Sequence, residues 1–94
     1  MNKNEIYSVI ITFLSKYDPS KIGVFGYYAR NENTEESDID ILVNFKKKID
    51  YFEFVEIELV LSEMLGKRVD LVAERSINPK LKPYIYKDLR IIFQ

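Results

Sequence analysis

Gly23-Val-Phe-Gly-Tyr-Tyr-Ala-Arg-Asn-Glu-Asn-Thr-Glu-Glu-Ser-Asp-Ile-Asp-Ile-Leu-Val43 is the stretch that decides the fold. It reads as an apolar strand, a tight glycine turn carrying an arginine, a polar loop and a second strand that begins Ser37-Asp38-Ile39-Asp40. Successive side chains of a strand alternate faces, so Asp38 and Asp40 share one face while Ile39 and Ile41 point into the core. Two carboxylates side by side at the mouth of a small sheet repel each other. A bound cation offsets that cost, and hard oxygen ligands two residues apart suit Mg²⁺.

Working outward, Ile6, Val9, Ile10, Phe13, Leu14 and Tyr17 recur at helical spacing, which predicts an amphipathic helix from residue 4 to about residue 17. Asp18-Pro19-Ser20 ends it, and Lys21 to Phe25 is a short buried strand. After Gly26, Tyr27 to Arg30 is long enough for one helical turn, and residues 31–36 form a polar surface loop. The second strand runs from Asp38 to Phe45 and ends at Lys46-Lys47-Lys48, a basic cluster read as solvated. Asp50 is an N-cap for the longest helix, Tyr51 to Leu65, with Gly66 just past its end. That helix is apolar over more than one stripe, so part of it is exposed or meets a partner.

Arg68 to Val72 is a third strand, with Asp70 between inward-pointing Val69 and Leu71. Asn78-Pro79 opens a last helix, broken or bent at Pro83, and Arg90-Ile-Ile-Phe93 closes the chain apolar. The expected fold is a small α/β (α+β) domain spanning residues 1–94, with a mixed sheet of about three strands and about four helices.

Composition narrows the chemistry. Ninety-four residues, nearly half of them apolar, make one domain with just enough chain for a core. There is no cysteine and no histidine. Thiolate or imidazole metal sites and Ser-His-Asp or Cys-His catalysis are therefore excluded, and carboxylates are the metal ligands that remain. A net charge of −1 gives no general attraction to nucleic acid, so no strong nucleic-acid binding is expected. No segment is long and apolar enough to cross a bilayer and none reads as a signal peptide, so a cytoplasmic location with no membrane contact is expected.

Gly-x-x-Ala-Arg, a polar loop and Ser-Asp-Ile-Asp-Ile-Leu-Val together resemble the nucleotidyltransferases of the DNA polymerase β superfamily. The pattern looks most like the minimal nucleotidyltransferases (MNT proteins) encoded beside HEPN-domain ribonuclease toxins. That family carries Gly-Ser, about ten residues, Asp-x-Asp and a third acidic residue on a later strand. Gly26, Asp38, Asp40 and Asp70 match, whereas the family's serine is Tyr27 here.

The resemblance implies a palm-like core over most of the chain. Asp38 and Asp40 would hold two Mg²⁺ ions, and Asp70 would complete the metal site or accept the hydroxyl proton. Gly26 would let backbone N–H groups approach the phosphates. Arg30 either holds the triphosphate by forked hydrogen bonds or pairs with Glu32 or Glu36. With Tyr27 and Ser37 these complete the nucleotide-binding candidates, and the resemblance implies ATP as the substrate.

Larger relatives carry a second domain for the acceptor, so here the acceptor is expected to dock from another molecule. The implied activity is transfer of AMP from ATP to a tyrosine of a HEPN toxin. Two alternatives stay open: an antitoxin that neutralises by binding alone, and a nucleotidyltransferase acting on RNA or a small molecule with a separate substrate-binding subunit. A hetero-oligomer with the toxin is expected, a homodimer being the other assembly considered.

Overall fold

The computed structural model describes residues 1–94. Helix α1 (Lys3–Leu14) opens with a reciprocal cap in which the Asn2 side chain accepts from Glu5 N and Glu5 accepts from Asn2 N. A single 3₁₀ turn (Ser15–Tyr17) follows, and Asp18, in the left-handed region, reverses the chain into strand β1 (Pro19–Phe25). Next come the one-turn helix α2 (Gly26–Ala29), strand β2 (Ile39–Phe45), helix α3 (Tyr51–Leu65) and strand β3 (Val69–Ala73). Helix α4 (Lys82–Asp88) and strand β4 (Arg90–Phe93) complete the chain.

The sheet has the order β3-β2-β1-β4. Its two pairings to β1 are antiparallel and β2 runs parallel to β3, with α3 as the crossover that a parallel pair requires. One face of the sheet, carrying Ile22, Val24, Ile39, Ile41 and Val43, packs under Ile6, Ile10 and Leu14 of α1 and Ile57, Leu61 and Leu65 of α3. No polar or charged residue is buried, so this layer is held by apolar burial alone, at about 1.5–3 kcal/mol per large side chain.

Asp50 caps α3 by accepting from Glu53 N at 2.9 Å, and Gly66 ends it at positive φ. Helix α3 also lies along the sheet's outer edge. Its Ser62 hydroxyl accepts from Val69 N at 3.0 Å and its Glu58 carboxylate from Leu71 N at 2.7 Å. Two outward N–H groups that an edge strand would leave open are thereby satisfied.

Two expectations are corrected. The sheet has four strands, because Arg90–Phe93 pairs with β1 from Ile22 to Val24. Pro83 does not bend the last helix: α4 begins at Lys82, so Pro83 lies in its first turn, where a missing N–H costs nothing. Residues 78–81 are a turn instead, closed by Lys80 N on the Asn78 side chain and Leu81 N on the Asn78 carbonyl. The surplus apolar surface of α3 lies in solvent, with Tyr51, Phe52, Leu59 and Met64 all exposed.

Candidate active site

The site forms on the sheet's second face. Asp40 is its centre: in register it lies between Phe25 of β1 and Asp70 of β3. The alternation that buries Ile39 and Ile41 aims Asp40 at this face, where it is half-buried. Gly26, at φ 73°, follows Phe25 directly, and a Cβ placed on it would come 2.3 Å from Asp40 Oδ2. Glycine is therefore required twice here, by backbone conformation and by contact.

The carboxylates crowd one another. Burial, then the charges of Asp70 and Asp38, push Asp40 up to about 6. Asp70 is half-exposed, with Arg68 Nη2 3.5 Å away. No three acidic side chains approach a common point as closely as metal ligands do. The arrangement is an open set rather than a closed cage.

A cleft of about 540 Å³ opens beside Asp40, lined by Tyr27, Glu32, Thr34, Glu36, Ser37 and Asp38 as well. Four of the sequence-derived residues, Tyr27, Ser37, Asp38 and Asp40, thus share one cavity. Asp70 does not line it and lies beside Asp40 in the β2–β3 register. The Ser37 hydroxyl accepts from Thr34 N at 2.8 Å and so closes the turn that delivers Asp38 to the strand. Tyr27 is 53% exposed.

Arg30 lies beside this cleft and outside its lining. Its guanidinium donates to Glu32 at 2.8 Å and to Asp88 at 2.7 Å, and it stacks over the Tyr27 ring at 4.9 Å. Hydrogen bonds to Glu32 and then Asp88 raise its pKa still further, so it is permanently charged. Lys46, Lys47 and Lys48 follow the far end of β2, about 20 Å along the strand from Asp40, and take no part. Sequence reasoning missed Asp88 as the second partner of Arg30. The two are 58 residues apart and no local spacing signals their meeting.

The residues fit a hard divalent cation. The donors are carboxylate oxygens, the ligand type such a cation takes, and at Asp40 burial and the neighbouring carboxylates oppose a bare negative charge. The missing Cβ at Gly26 leaves the required room.

The model of the nucleotidyltransferase domain family matches residues 8–92. The chain belongs to that family. Over 75 residues it is 53% identical to MJ0128 of Methanocaldococcus jannaschii, provisionally named a protein adenylyltransferase; the match covers 79% of this chain and 76% of that one. The protein adenylyltransferase MntA of Thermococcus cleftensis is 38% identical over 74 residues, 79% of this chain and 75% of the relative. A crystal structure of a toxin–antitoxin with AMP-PNP superposes with a TM-score of 0.84 at 27% identity, over 93% of this chain and 72% of the other. The protein is a minimal nucleotidyltransferase of the protein-adenylyltransferase type with the polymerase β-like fold. No helix is long and apolar enough to cross a membrane.

Proposed function

We propose that this protein is an antitoxin that transfers AMP from ATP to a tyrosine hydroxyl of a HEPN-domain toxin. The observation that carries the reading is Asp40, held against the side-chain-free Gly26 turn and crowded by Asp38 and Asp70 at the mouth of an open polar cleft. The similarity to MntA and to a toxin–antitoxin holding an ATP analogue supports the donor and the kind of partner.

Asp38, Asp40 and Asp70 would hold Mg²⁺. A bound metal would neutralise the triphosphate and make the attacking hydroxyl more acidic. The chain's own residues do the rest. The turn at Gly26 presents backbone N–H groups to the phosphates. As the acceptor oxygen bonds to the α-phosphorus and pyrophosphate leaves, the hydroxyl proton passes to a carboxylate, and Asp70, beside Asp40 in register, either takes it or completes the metal site. The acidic lining, Glu32, Glu36, Asp38 and Asp40, repels an RNA backbone and favours a protein acceptor.

One observation favours a second reading. Tyr27 fills the family's serine position and lines the cleft with a bulky, half-exposed ring where the family has a short side chain. A protein so obstructed would neutralise its toxin by covering it. Asp38→Asn separates the two. Under the catalytic reading, AMP transfer from labelled ATP to the toxin falls at least about a hundredfold and neutralisation is lost. If the variant still neutralises the toxin in cells as well as wild type, the covering reading holds and the transfer reading fails.

A further inference from the structure

Helix α2 is four residues long, far below the length at which a helix holds itself, and no side chain caps its start. Yet it carries Gly26, whose contact with Asp40 leaves no room for even a methyl group. What fixes it is visible in its carbonyls. Gly26 O accepts from Arg30 N at 3.1 Å, and Tyr27 O from Glu32 N at 2.9 Å, beyond a left-handed Asn31. The last two accept from side chains at opposite ends of the chain, Tyr28 O in addition to Asn31 N at 3.3 Å. Lys3 Nζ, in the first turn of α1, donates to Tyr28 O at 2.5 Å and also to the Asn31 side chain. Arg90 Nε, at the start of β4, donates to Ala29 O at 3.1 Å. Neither cation has a carboxylate partner within salt-bridge distance. Both sit at the negative end of the helix, where a positive charge is stabilising.

We infer that Arg90 and Lys3 are positioning residues for the nucleotide's phosphates: together they fix α2, and hence the distance from the Gly26 turn to Asp40. Neither touches substrate; each acts through the backbone it holds. The inference rests on the nucleotidyl-transfer reading of the site. It gives β4 a role beyond closing the sheet, because Val24↔Arg90 pairing places the guanidinium beneath α2 while Phe25 and Gly26 continue from the same stretch of β1 into the turn.

The test is calorimetric titration of AMP-PNP, and separately of AMP, with Mg²⁺ into wild type, Arg90→Met, Arg90→Lys and Lys3→Met. Arg90→Met and Lys3→Met should each weaken AMP-PNP about tenfold to a hundredfold, the range for displaced supporting groups, and leave AMP unchanged. Arg90→Lys, which returns a donor to Ala29 O, should recover most of the loss. Lys3→Met removes no core contact, so the inference stays testable if Arg90→Met folds poorly. Unchanged AMP-PNP affinity in both methionine variants would overturn it. So would equal loss of AMP and AMP-PNP, or no recovery in Arg90→Lys, either of which marks a merely structural role. If wild type itself binds no AMP-PNP with Mg²⁺, the proposed function fails, an outcome distinct from the others.

Discussion

The two faces of β2 are built from alternate residues of one seven-residue strand and behave oppositely. Ile39, Ile41 and Val43 face α1 and α3 with no exposed surface and no polar neighbour buried among them. Asp40, between the first two, faces Asp70, Asp38 and an open cleft, and is held in a state of mutual repulsion. One face stores stability and the other spends part of it on a charge arrangement useful only to a cation and a phosphate. The one-residue alternation of a strand is what lets both coexist within a few ångströms.

The sharpest way to break the contrast is to attack each face in turn. Leu61→Ala removes a fully buried side chain from the layer between α3 and the sheet, and should cost about 2–5 kcal/mol. In a chain of this size that approaches the whole stability, so urea titration should find the variant partly unfolded at 25 °C. A loss under about 1 kcal/mol would mean the apolar face is not the main support.

Asp40→Asn should do the reverse, raising stability while abolishing AMP transfer. The folded pKa of about 6 lies above the ordinary 3.8, so folding favours the protonated carboxyl. Its contribution is fully present below pH 4 and is lost as pH rises through about 6. The shift corresponds to roughly 3 kcal/mol at most, which solvent at a half-buried group screens to about 1–2 kcal/mol. At pH 7.5 the variant should therefore melt about 5–10 °C above wild type, with no difference below pH 4. Added Mg²⁺ should raise the melting temperature of wild type and leave that of the variant nearly unchanged. A variant less stable than wild type at pH 7.5 would show that the second face carries no stored repulsion.

How much of this the sequence disclosed follows from the range of each interaction. The Gly26 turn, the two flanking strands, the Asp50 and Gly66 caps and the pairing of Asp38 with Asp40 on one face are local, decided within a few residues. Strand β4 was not legible: Arg90-Ile-Ile-Phe lacks a two-residue alternation, and its partner Val24 lies 66 positions away. The helix start misplaced at Asn78-Pro79 has a local cause, since that pair is as good a turn as it is a helix opening. Asp70 was a candidate from strand alternation and resemblance, and the register sets it beside Asp40. The partners of Arg30 and α2, namely Asp88, Arg90 and Lys3, exist only once the two ends of the chain meet. Tyr27 marks a different limit. Its identity was plain, but whether a tyrosine obstructs or serves the phosphate turn depends on the cleft's occupant.

The smallest expected effect tests whether the apolar layer is as complete as its list of buried residues implies. Tyr7 lies on α1 beside that layer, and its hydroxyl is buried without a hydrogen-bond partner. Burial is the main reason its pKa is raised, with the Arg90 charge pulling it back. A buried hydroxyl without a partner is a cost, not a support, and removing it leaves the ring's packing intact. Tyr7→Phe should therefore stabilise the fold by up to about 1 kcal/mol, a rise of about 4–8 °C in melting temperature. Because Arg90 already donates to Ala29 O, removing the hydroxyl should leave AMP-PNP affinity unchanged. A destabilised Tyr7→Phe would mean that the hydroxyl is satisfied in solution by water, and that the margin of the core beneath α2 is wetter than its apolar centre.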